Sequence, residues 1–138
     1  MKLLKIIFFI TLVFSNAFAK NNYFNEGLAY YEKKELNKAK FKFEQDIVFN
    51  PKNEKSYLYL SKIFNTQKEK ELEEKNLNTV ILLNPKNEEA TYNLAQLKLQ
   101  KSDYEESKIL INKLLMFCKR YCEKSQKLKV EIENSLKK

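Results

Sequence analysis

Few side chains in this sequence are suited to chemistry. The 138 residues include no His and only two cysteines, Cys118 and Cys122. The absence of His excludes imidazole acid/base catalysis, a Ser-His-Asp triad and His-ligated metals, and two thiolates alone make a poor metal site. No nucleophile-base pair, Gly-rich loop or carboxylate dyad is visible. We therefore expect no enzyme activity, no catalytic residue, no metal site and no cofactor.

The segment Cys118-Lys119-Arg120-Tyr121-Cys122 leaves three interpretations open. In an oxidising compartment, two cysteines four positions apart can form a disulfide that holds a turn. They can also remain free thiols, or form a redox-active pair, although a redox pair usually has two intervening residues and this one has three,. We rank the disulfide first, free thiols second and a redox role third.

The first nineteen residues have the pattern of a secretory signal peptide. Lys2 and Lys5 form a short basic start, residues 6–14 are almost all apolar, and Ala17-Phe18-Ala19 places small residues before a cleavage site,. An uncleaved membrane anchor is the alternative, but a spanning helix needs roughly 20 apolar residues and this run is shorter. We expect cleavage directly after Ala19, a periplasmic or secreted protein, and no stable membrane span afterwards.

The net charge of +8 does not indicate nucleic-acid binding. Arg120 is the only Arg, and the lysines alternate with glutamates, as in Glu69-Lys70-Glu71, instead of forming a basic stripe,. We therefore expect the partner to be a protein or a peptide, and not a nucleic acid.

An internal repeat determines the expected architecture. The five residues Asn-Pro-Lys-Asn-Glu occur at 50–54 and again at 84–88, thirty-four positions apart,. Apolar residues within the period recur three and four positions apart, as in Tyr57, Leu60 and Phe64, which is helical spacing,. The chain has one Gly and two Pro, so it lacks the residues that hairpin turns need,. Each period is therefore expected to form two helices, with Asn-Pro at the joint between units.

These positions resemble the tetratricopeptide repeat (TPR) family, whose units are 34 residues long. The matching residues are Tyr23, Gly27, Tyr30, Ala39, Phe43 and Pro51 in the first unit, Tyr57, Leu60, Ser61, Phe64, Leu77 and Pro85 in the second, and Leu94, Ala95, Ser107 and Ile111 in the third. The departures are Glu26, Glu73, Thr91, Lys98 and Lys119. Together with its leader, the chain resembles a small exported bacterial-type TPR protein.

The resemblance implies an all-α fold, a right-handed α-solenoid of three helix-turn-helix units followed by a C-terminal capping helix. The expected domains are the signal peptide 1–19, the repeat units 20–53, 54–87 and 88–121, and the capping helix 122–138. Glu73 stands where the family has a small residue, and we expect it to weaken the packing there. Cys118 occupies the slot of Asn50 and Asn84, so a disulfide would hold the third joint in place of the missing Pro.

In the resembled family, the first helices of the units line a concave groove that binds peptides or helices of other proteins. Carried over to this sequence, the groove residues are Phe24, Leu28 and Tyr31 in the first unit, Leu58, Lys62 and Asn65 in the second, and Tyr92, Gln96 and Leu99 in the third. Family members that bind chaperone tails hold a terminal carboxylate with Lys and Asn, but Phe24 and Leu28 stand in those slots here. We expect an apolar or amphipathic peptide or helix instead, with Lys62 as a polar anchor.

Two functions follow from this pattern, together with a third that depends on the cysteines. The first is an exported scaffold or adaptor that binds an envelope protein through the groove. The second is a homo-oligomeric structural element of an envelope complex, because the same face could join copies of this chain. A thiol-redox role is a distant third. For each groove residue the alternative is a place in the core, since an apolar stripe at helical spacing is common there.

Overall fold

The computed structural model describes residues 22–137. The predicted all-α fold is confirmed, and the seven helices of the described residues are, in chain order, α1 (Tyr23–Glu32), α2 (Leu36–Phe49), α3 (Glu54–Gln67), α4 (Lys70–Leu83), α5 (Glu88–Gln100), α6 (Tyr104–Leu115) and α7 (Cys122–Ser135). The predicted signal peptide at 1–19 lies outside the described residues. Between residues 22 and 137, no helix combines the length and the apolar character needed to cross a membrane.

The helices stack as a solenoid. α1 packs on α2, α3 on α4, and α5 on α6, and each pair is joined to the next by contacts between helices that are consecutive in the chain. The last helix, α7, packs on α6 and also touches α5. One buried cluster is formed by α2 and α3, and a second extends from α3 to α7. The core therefore runs along the stack, because each pair buries its apolar face only against its neighbours.

Small residues let the paired helices approach each other. Gly27 of α1 is buried against Phe43 of α2, and a Cβ atom on Gly27 would lie 2.7 Å from Cε1 of that ring. In the third pair, Ser107 of α6 donates a 2.7 Å hydrogen bond from Oγ to the backbone carbonyl oxygen of Ala95 in α5. Glu73 occupies the equivalent position in the second pair, so a long acidic side chain lies where the other pairs have Ala39 or Ser107,.

The turn inside each pair has the same backbone geometry. Lys34, Lys68 and Ser102, which are thirty-four positions apart, have φ angles of 62°, 61° and 61°, in the left-handed region. The next residue in each turn donates its amide to a carbonyl oxygen five residues earlier: Glu35 to Tyr30, Glu69 to Phe64, and Asp103 to Lys98. This hydrogen bond closes the end of the first helix, in a conformation that Gly usually adopts.

The repeated Asn-Pro-Lys-Asn-Glu segments form the joints between pairs. Pro51 and Pro85 lie in the turns, and α3 and α5 begin three residues after them, so neither Pro belongs to a first helical turn. Asn53 and Asn87 cap the two helices, because their Oδ1 atoms accept backbone amide hydrogens,. The segment therefore ends one pair with its first residues and caps the next pair with its second Asn.

Asp46 ties the first joint together. Its side chain is 2% exposed, and its two carboxylate oxygens accept hydrogen bonds from the end of α2, the turn and the start of α3. The donors are Nδ2 of Asn50 at 2.9 Å, Nδ2 of Asn53 at 2.6 Å and Oγ of Ser56 at 2.5 Å. A buried carboxylate that accepts several hydrogen bonds is well compensated for its loss of water.

The third joint has no Pro and is held in another way. Oε2 of Glu88, the first residue of α5, accepts hydrogen bonds from the backbone amides of Arg120 at 2.8 Å and Tyr121 at 2.9 Å. The Sγ atoms of Cys118 and Cys122 lie 2.01 Å apart across the same turn. This placement corresponds to the first of the three interpretations of the cysteine pair.

Candidate binding groove

An aromatic cluster of Phe24, Tyr31, Phe43 and Tyr59 joins α1, α2 and α3. Tyr59 is at its centre, with ring centroids 5.9 Å from Phe24, 5.1 Å from Tyr31 and 5.1 Å from Phe43. The predicted groove residues Phe24 and Tyr31 are therefore half-buried in this packing, and Leu28 on the same helix is half-buried as well. Part of each ring is left for a ligand.

Leu58 lies in the core and not on the groove surface, which corrects its assignment from the sequence. It is 9% exposed and belongs to the buried cluster that extends from α3 to α7. Tyr92 of α5, another predicted groove residue, packs against the same cluster. Leu58 and Tyr92 pack into this cluster because burying apolar surface between helices stabilises the fold by roughly 25 cal/mol for each Å² removed from water.

Lys62 is held by neighbours within the protein. Its Nζ lies 2.7 Å from Oε1 of Glu89 on α5 and 4.8 Å from the centroid of the Tyr59 ring. Burial alone would lower the pKa of Lys62, but the hydrogen bond and the charge of Glu89 outweigh burial and raise the pKa. The ammonium group therefore stays charged while Glu89 neutralises it locally, so a ligand would meet Lys62 as an ion pair, and its role as a polar anchor stays a prediction.

A polar pocket of about 150 Å³ lies between α3, α4 and α5. It is lined by Ser61, Lys62, Asn65, Glu73, Asn93, Gln96, Leu97 and Gln100. The structure thus brings together three of the predicted groove residues, Lys62, Asn65 and Gln96. Pockets for drug-sized molecules measure roughly 300–1,000 Å³, so this polar pocket has room for about one side chain.

Glu73 is the buried acid of the polar pocket. Its side chain is 4% exposed, and its Oε1 accepts a 2.9 Å hydrogen bond from Nδ2 of Asn65. Burial raises the pKa of Glu73, against the opposing effects of the Asn65 hydrogen bond and the charge of Lys70,. The carboxyl group is therefore easier to protonate than an ordinary glutamate.

Two further recesses continue this surface towards the C-terminus. A tyrosine recess of about 430 Å³ between α5 and α7 is lined by Tyr92, Asn93, Gln96, Tyr121, Lys124, Lys127, Leu128 and Glu131. A third recess of about 290 Å³ is lined by Gln96, Leu99, Gln100, Tyr104, Leu128, Glu131 and Ser135. The Tyr92 and Tyr121 ring centroids are 5.4 Å apart. Gln96 lines the polar pocket and both recesses, so they form one continuous surface.

Burial raises the pKa of both tyrosines of the tyrosine recess. The Glu131 carboxylate adds to the effect at Tyr92, and the Glu89 carboxylate adds to it at Tyr121. Both phenols are therefore neutral at ordinary pH, and their hydroxyl groups can donate hydrogen bonds to a ligand.

Several residues of the aromatic cluster and of the recesses were missed from the sequence. Tyr59 and Asn93 are thirty-four positions apart and share the register position directly after Leu58 and Tyr92. The 34-residue period could have identified Tyr59 and Asn93, because each directly follows a residue that the period assigned to the groove. Glu73 was identified as a departure from the family pattern, but not as a pocket residue. Tyr121 comes from the third joint, where the repeat pattern ends.

Within residues 22–137, no group of three or more His, Cys, Asp or Glu side chains is placed to hold a metal ion. The polar pocket and the two recesses instead offer amide, hydroxyl and charged groups around short apolar surfaces. Such surfaces bind by hydrogen bonding, charge and packing.

No protein-family model matches the sequence, and no curated protein sequence matches it. Solved structures do. The first TPR of Spaghetti (RPAP3) bound to HSP90 peptide SRMEEVD has a TM-score of 0.75 and 16% identity, over 84% of this chain and 91% of that chain. The Sgt2 TPR domain from Aspergillus fumigatus has a TM-score of 0.72 and 17% identity, over 88% and 84%. The TPR2B domain of yeast Sti1 in its pHsp70 complex has a TM-score of 0.72 and 13% identity, over 79% and 91%. The chain therefore has the fold of the tetratricopeptide repeat domains, an α-solenoid of helix pairs.

Proposed function

We propose that this chain is an exported scaffold that binds an amphipathic peptide or helix of an envelope protein along its concave groove. The observation that carries the proposal is the continuous surface from α3 to α7, on which Gln96 lines the polar pocket and both recesses. A peptide lying across this surface would meet both aromatic rings and polar groups, which suits an amphipathic segment.

The composition of the surface supports an amphipathic ligand over a purely apolar one. Leu58 is in the core and Phe24 is partly covered by Tyr59, so these two apolar members of the predicted row offer little free surface. Asn65 and Gln96, in contrast, line the polar pocket. Hydrogen-bonding side chains of this kind select ligands that carry matching polar groups.

The similar structures support peptide binding as the general activity. Two of them were solved with ligands named as an HSP90 peptide, SRMEEVD, and pHsp70. In this chain Phe24 and Leu28 stand in the slots that hold a terminal carboxylate in the chaperone-tail binders, so we propose recognition of side chains and not of a chain end.

Crosslinking in cells tests the proposal. A photoreactive amino acid replaces Gln96 in one variant and Leu82 in a control, because Leu82 is 81% exposed on α4 and lines none of the recesses described above. We expect the Gln96 probe to form adducts with a second protein, and to lose them when Tyr92→Glu is added and helicity is unchanged. Equal adducts from both positions would contradict groove binding.

Export is part of the proposal and is supported by the first nineteen residues of the sequence,. Fractionation of cells that produce the full chain, followed by sequencing of the mature N-terminus, should find the protein outside the cytoplasm with Lys20 as its first residue. A mature protein that begins at Met1 in the cytoplasm would contradict this part.

A homo-oligomeric structural role is the second candidate. It is favoured by apolar side chains exposed on α2, where Phe41, Val48 and Phe49 are 56%, 73% and 58% exposed,. Sedimentation equilibrium would then show a mass that rises with concentration. A monomer at all concentrations would remove this candidate.

A further inference from the structure

The polar pocket contains an acid, Glu73, that forms no ion pair within residues 22–137. Among residues 22–137, none of the side-chain ion pairs includes Glu73. Its only side-chain hydrogen bond in that part of the chain comes from Asn65 to Oε1. A carboxylate that is 4% exposed has lost most of its water, and a single amide donor replaces only part of that hydration.

The cations beside the pocket on α3 and α5 are already matched. Glu74, the next residue, lies 2.8 Å from Nζ of Lys98 and 2.7 Å from Nζ of Lys101. Lys62, which lines the pocket, is paired with Glu89. The cations nearest to Glu73 on α3 and α5 are therefore neutralised by other acids. Lys70, on the same helix as Glu73, lowers the pKa of Glu73 through its charge but forms no ion pair with it, so the free Oε2 can accept a positive ligand group.

The equivalent positions in the other pairs show that this acid is not required for packing. Ala39 and Ser107 are both 0% exposed at this slot, and both are small. A small residue at 73 would fill the same interhelical position without the free-energy cost of burying a carboxylate. Glu73 therefore adds an acidic group to the polar pocket that the stacking of the helix pairs does not need for its stability.

We propose that the polar pocket receives a lysine side chain of the peptide ligand, whose ammonium group pairs with Oε2 of Glu73. This inference rests on the proposed function, since it names the side chain that the groove selects. The volume of about 150 Å³ suits one side chain. The ammonium has three donors, so it can bond Glu73 and also the amide oxygens of Gln96 and Gln100.

Lysine fits this pocket better than arginine. A guanidinium group binds a carboxylate best through two parallel hydrogen bonds, one to each oxygen. In this pocket Asn65 already donates to Oε1 of Glu73, so a guanidinium that used both oxygens would have to share Oε1 with that amide, whereas Oε2 accepts no hydrogen bond from residues 22–137. A compact ammonium matches that geometry.

Titration of the full chain with N-acetyl-lysine N-methylamide, followed by NMR of the side-chain amides of Asn65 and Gln96, tests the proposal. We expect the amide signals to shift with the lysine probe, and binding to be at least about tenfold weaker in Glu73→Gln, because a charge-assisted hydrogen bond is lost. The norleucine analogue, which has no ammonium group, should cause no shift. Glu73→Ala, with the small residue of the other pairs, should behave like Glu73→Gln and keep the helical spectrum.

Three results would overturn the inference. They are equal binding of the lysine probe to Glu73→Gln, equal shifts with the norleucine analogue, and tighter binding of the arginine analogue than of the lysine probe. The titration is independent of the crosslinking at Gln96. Glu73-dependent probe binding without groove adducts would remove the scaffold proposal alone, and adducts without Glu73-dependent probe binding would remove the lysine pocket alone.

Discussion

Replacing Gly27 with Ala tests the packing that sets the first helix pair. Gly27 is buried on α1, and a new Cβ atom would lie 2.7 Å from Cε1 and 2.8 Å from Cδ1 of Phe43. These distances are shorter than a van der Waals contact, so the ring or the helix must move. The Phe43 ring is 0% exposed and is stacked on Tyr59 at 5.1 Å, which leaves it little room.

Two opposing effects determine the result. Ala is more favourable than Gly inside a helix by about 1 kcal/mol. Overpacking a filled core costs about 1–3 kcal/mol, and the upper part of that range applies because two atoms of an enclosed ring are in the way. We therefore expect Gly27→Ala to lower the free energy of unfolding by about 1–2 kcal/mol.

Urea unfolding followed by far-ultraviolet circular dichroism measures this change. Ala29→Gly is the matched control, since Ala29 is exposed on the same helix and its replacement should cost about 1 kcal/mol through helix propensity alone. Adding Phe43→Leu to Gly27→Ala should give a double mutant that is more stable than the sum of the two single changes, because the smaller side chain leaves space for the Cβ atom.

The outcome that would refute the reasoning is a stabilisation. If Gly27→Ala raises the free energy of unfolding by as much as Ala29→Gly lowers it, then the ring moves at no cost. The close approach of α1 to α2 would then not require Gly at this position.

Four other predictions concern the turns and joints. Asp46→Ala should lower the free energy of unfolding by about 3 kcal/mol, because the buried hydroxyl of Ser56 and the part-buried amides of Asn50 and Asn53 lose their shared carboxylate acceptor,; urea titration measures it, and a change below about 1 kcal/mol would argue against the network. Backbone hydrogen bonds from Lys119, Tyr121 and Arg120 lower the pKa of Glu88. The stabilisation by Glu88 is therefore present above its unfolded-state pKa and is lost as pH falls through the lowered pKa, so Glu88→Gln should make the free energy of unfolding less dependent on pH in that acidic range. Lys68→Gly should stabilise by about 1 kcal/mol, since Gly adopts positive φ without strain; destabilisation would contradict the turn geometry. The cysteine pair should resist alkylation in intact-mass measurements until it is reduced, and reduction should cost about 2 kcal/mol for so short a loop; free thiols in the purified protein would exclude the bond.

The helix pairs were predictable because their signals are local. The spacing of Tyr57, Leu60 and Phe64 and the Asn-Pro joints each act within a few positions of the chain, and the 34-residue period repeats these local signals. Helical periodicity and caps depend on neighbours three or four residues away. For this reason the sequence predicted helices on both sides of each joint before any packing was known.

The conformation of the turns inside the pairs was harder to predict from the sequence. Lys34 and Lys68 adopt positive φ, yet Lys is not a residue that signals this conformation. The geometry follows from the close packing of the two helices that each turn connects. A local rule that searches for Gly or Asn would have missed both positions.

In the groove, too, the sequence alone did not decide which side chain of a helix faces the ligand surface. Leu58 and Tyr59 are adjacent, and the family register selected Leu58, although Leu58 is in the core and Tyr59 contacts Lys62 and the aromatic cluster. A rotation of 100° per residue separates neighbours on a helix. Which of the two faces the groove therefore depends on how α3 is turned against α2 and α5.

The amino-acid sequence by itself determined the repeat, the all-α fold and the absence of His chemistry, because these depend on composition and on contacts within a few residues,. Only the tertiary structure decided that Lys62 is neutralised by Glu89, that Gln96 lines three recesses, and that Glu73 is a buried acid facing amides from α3 and α5. The physical reason is that charge pairing, burial and cavities arise between helices that are separated along the chain, and their packing angles set which side chains meet.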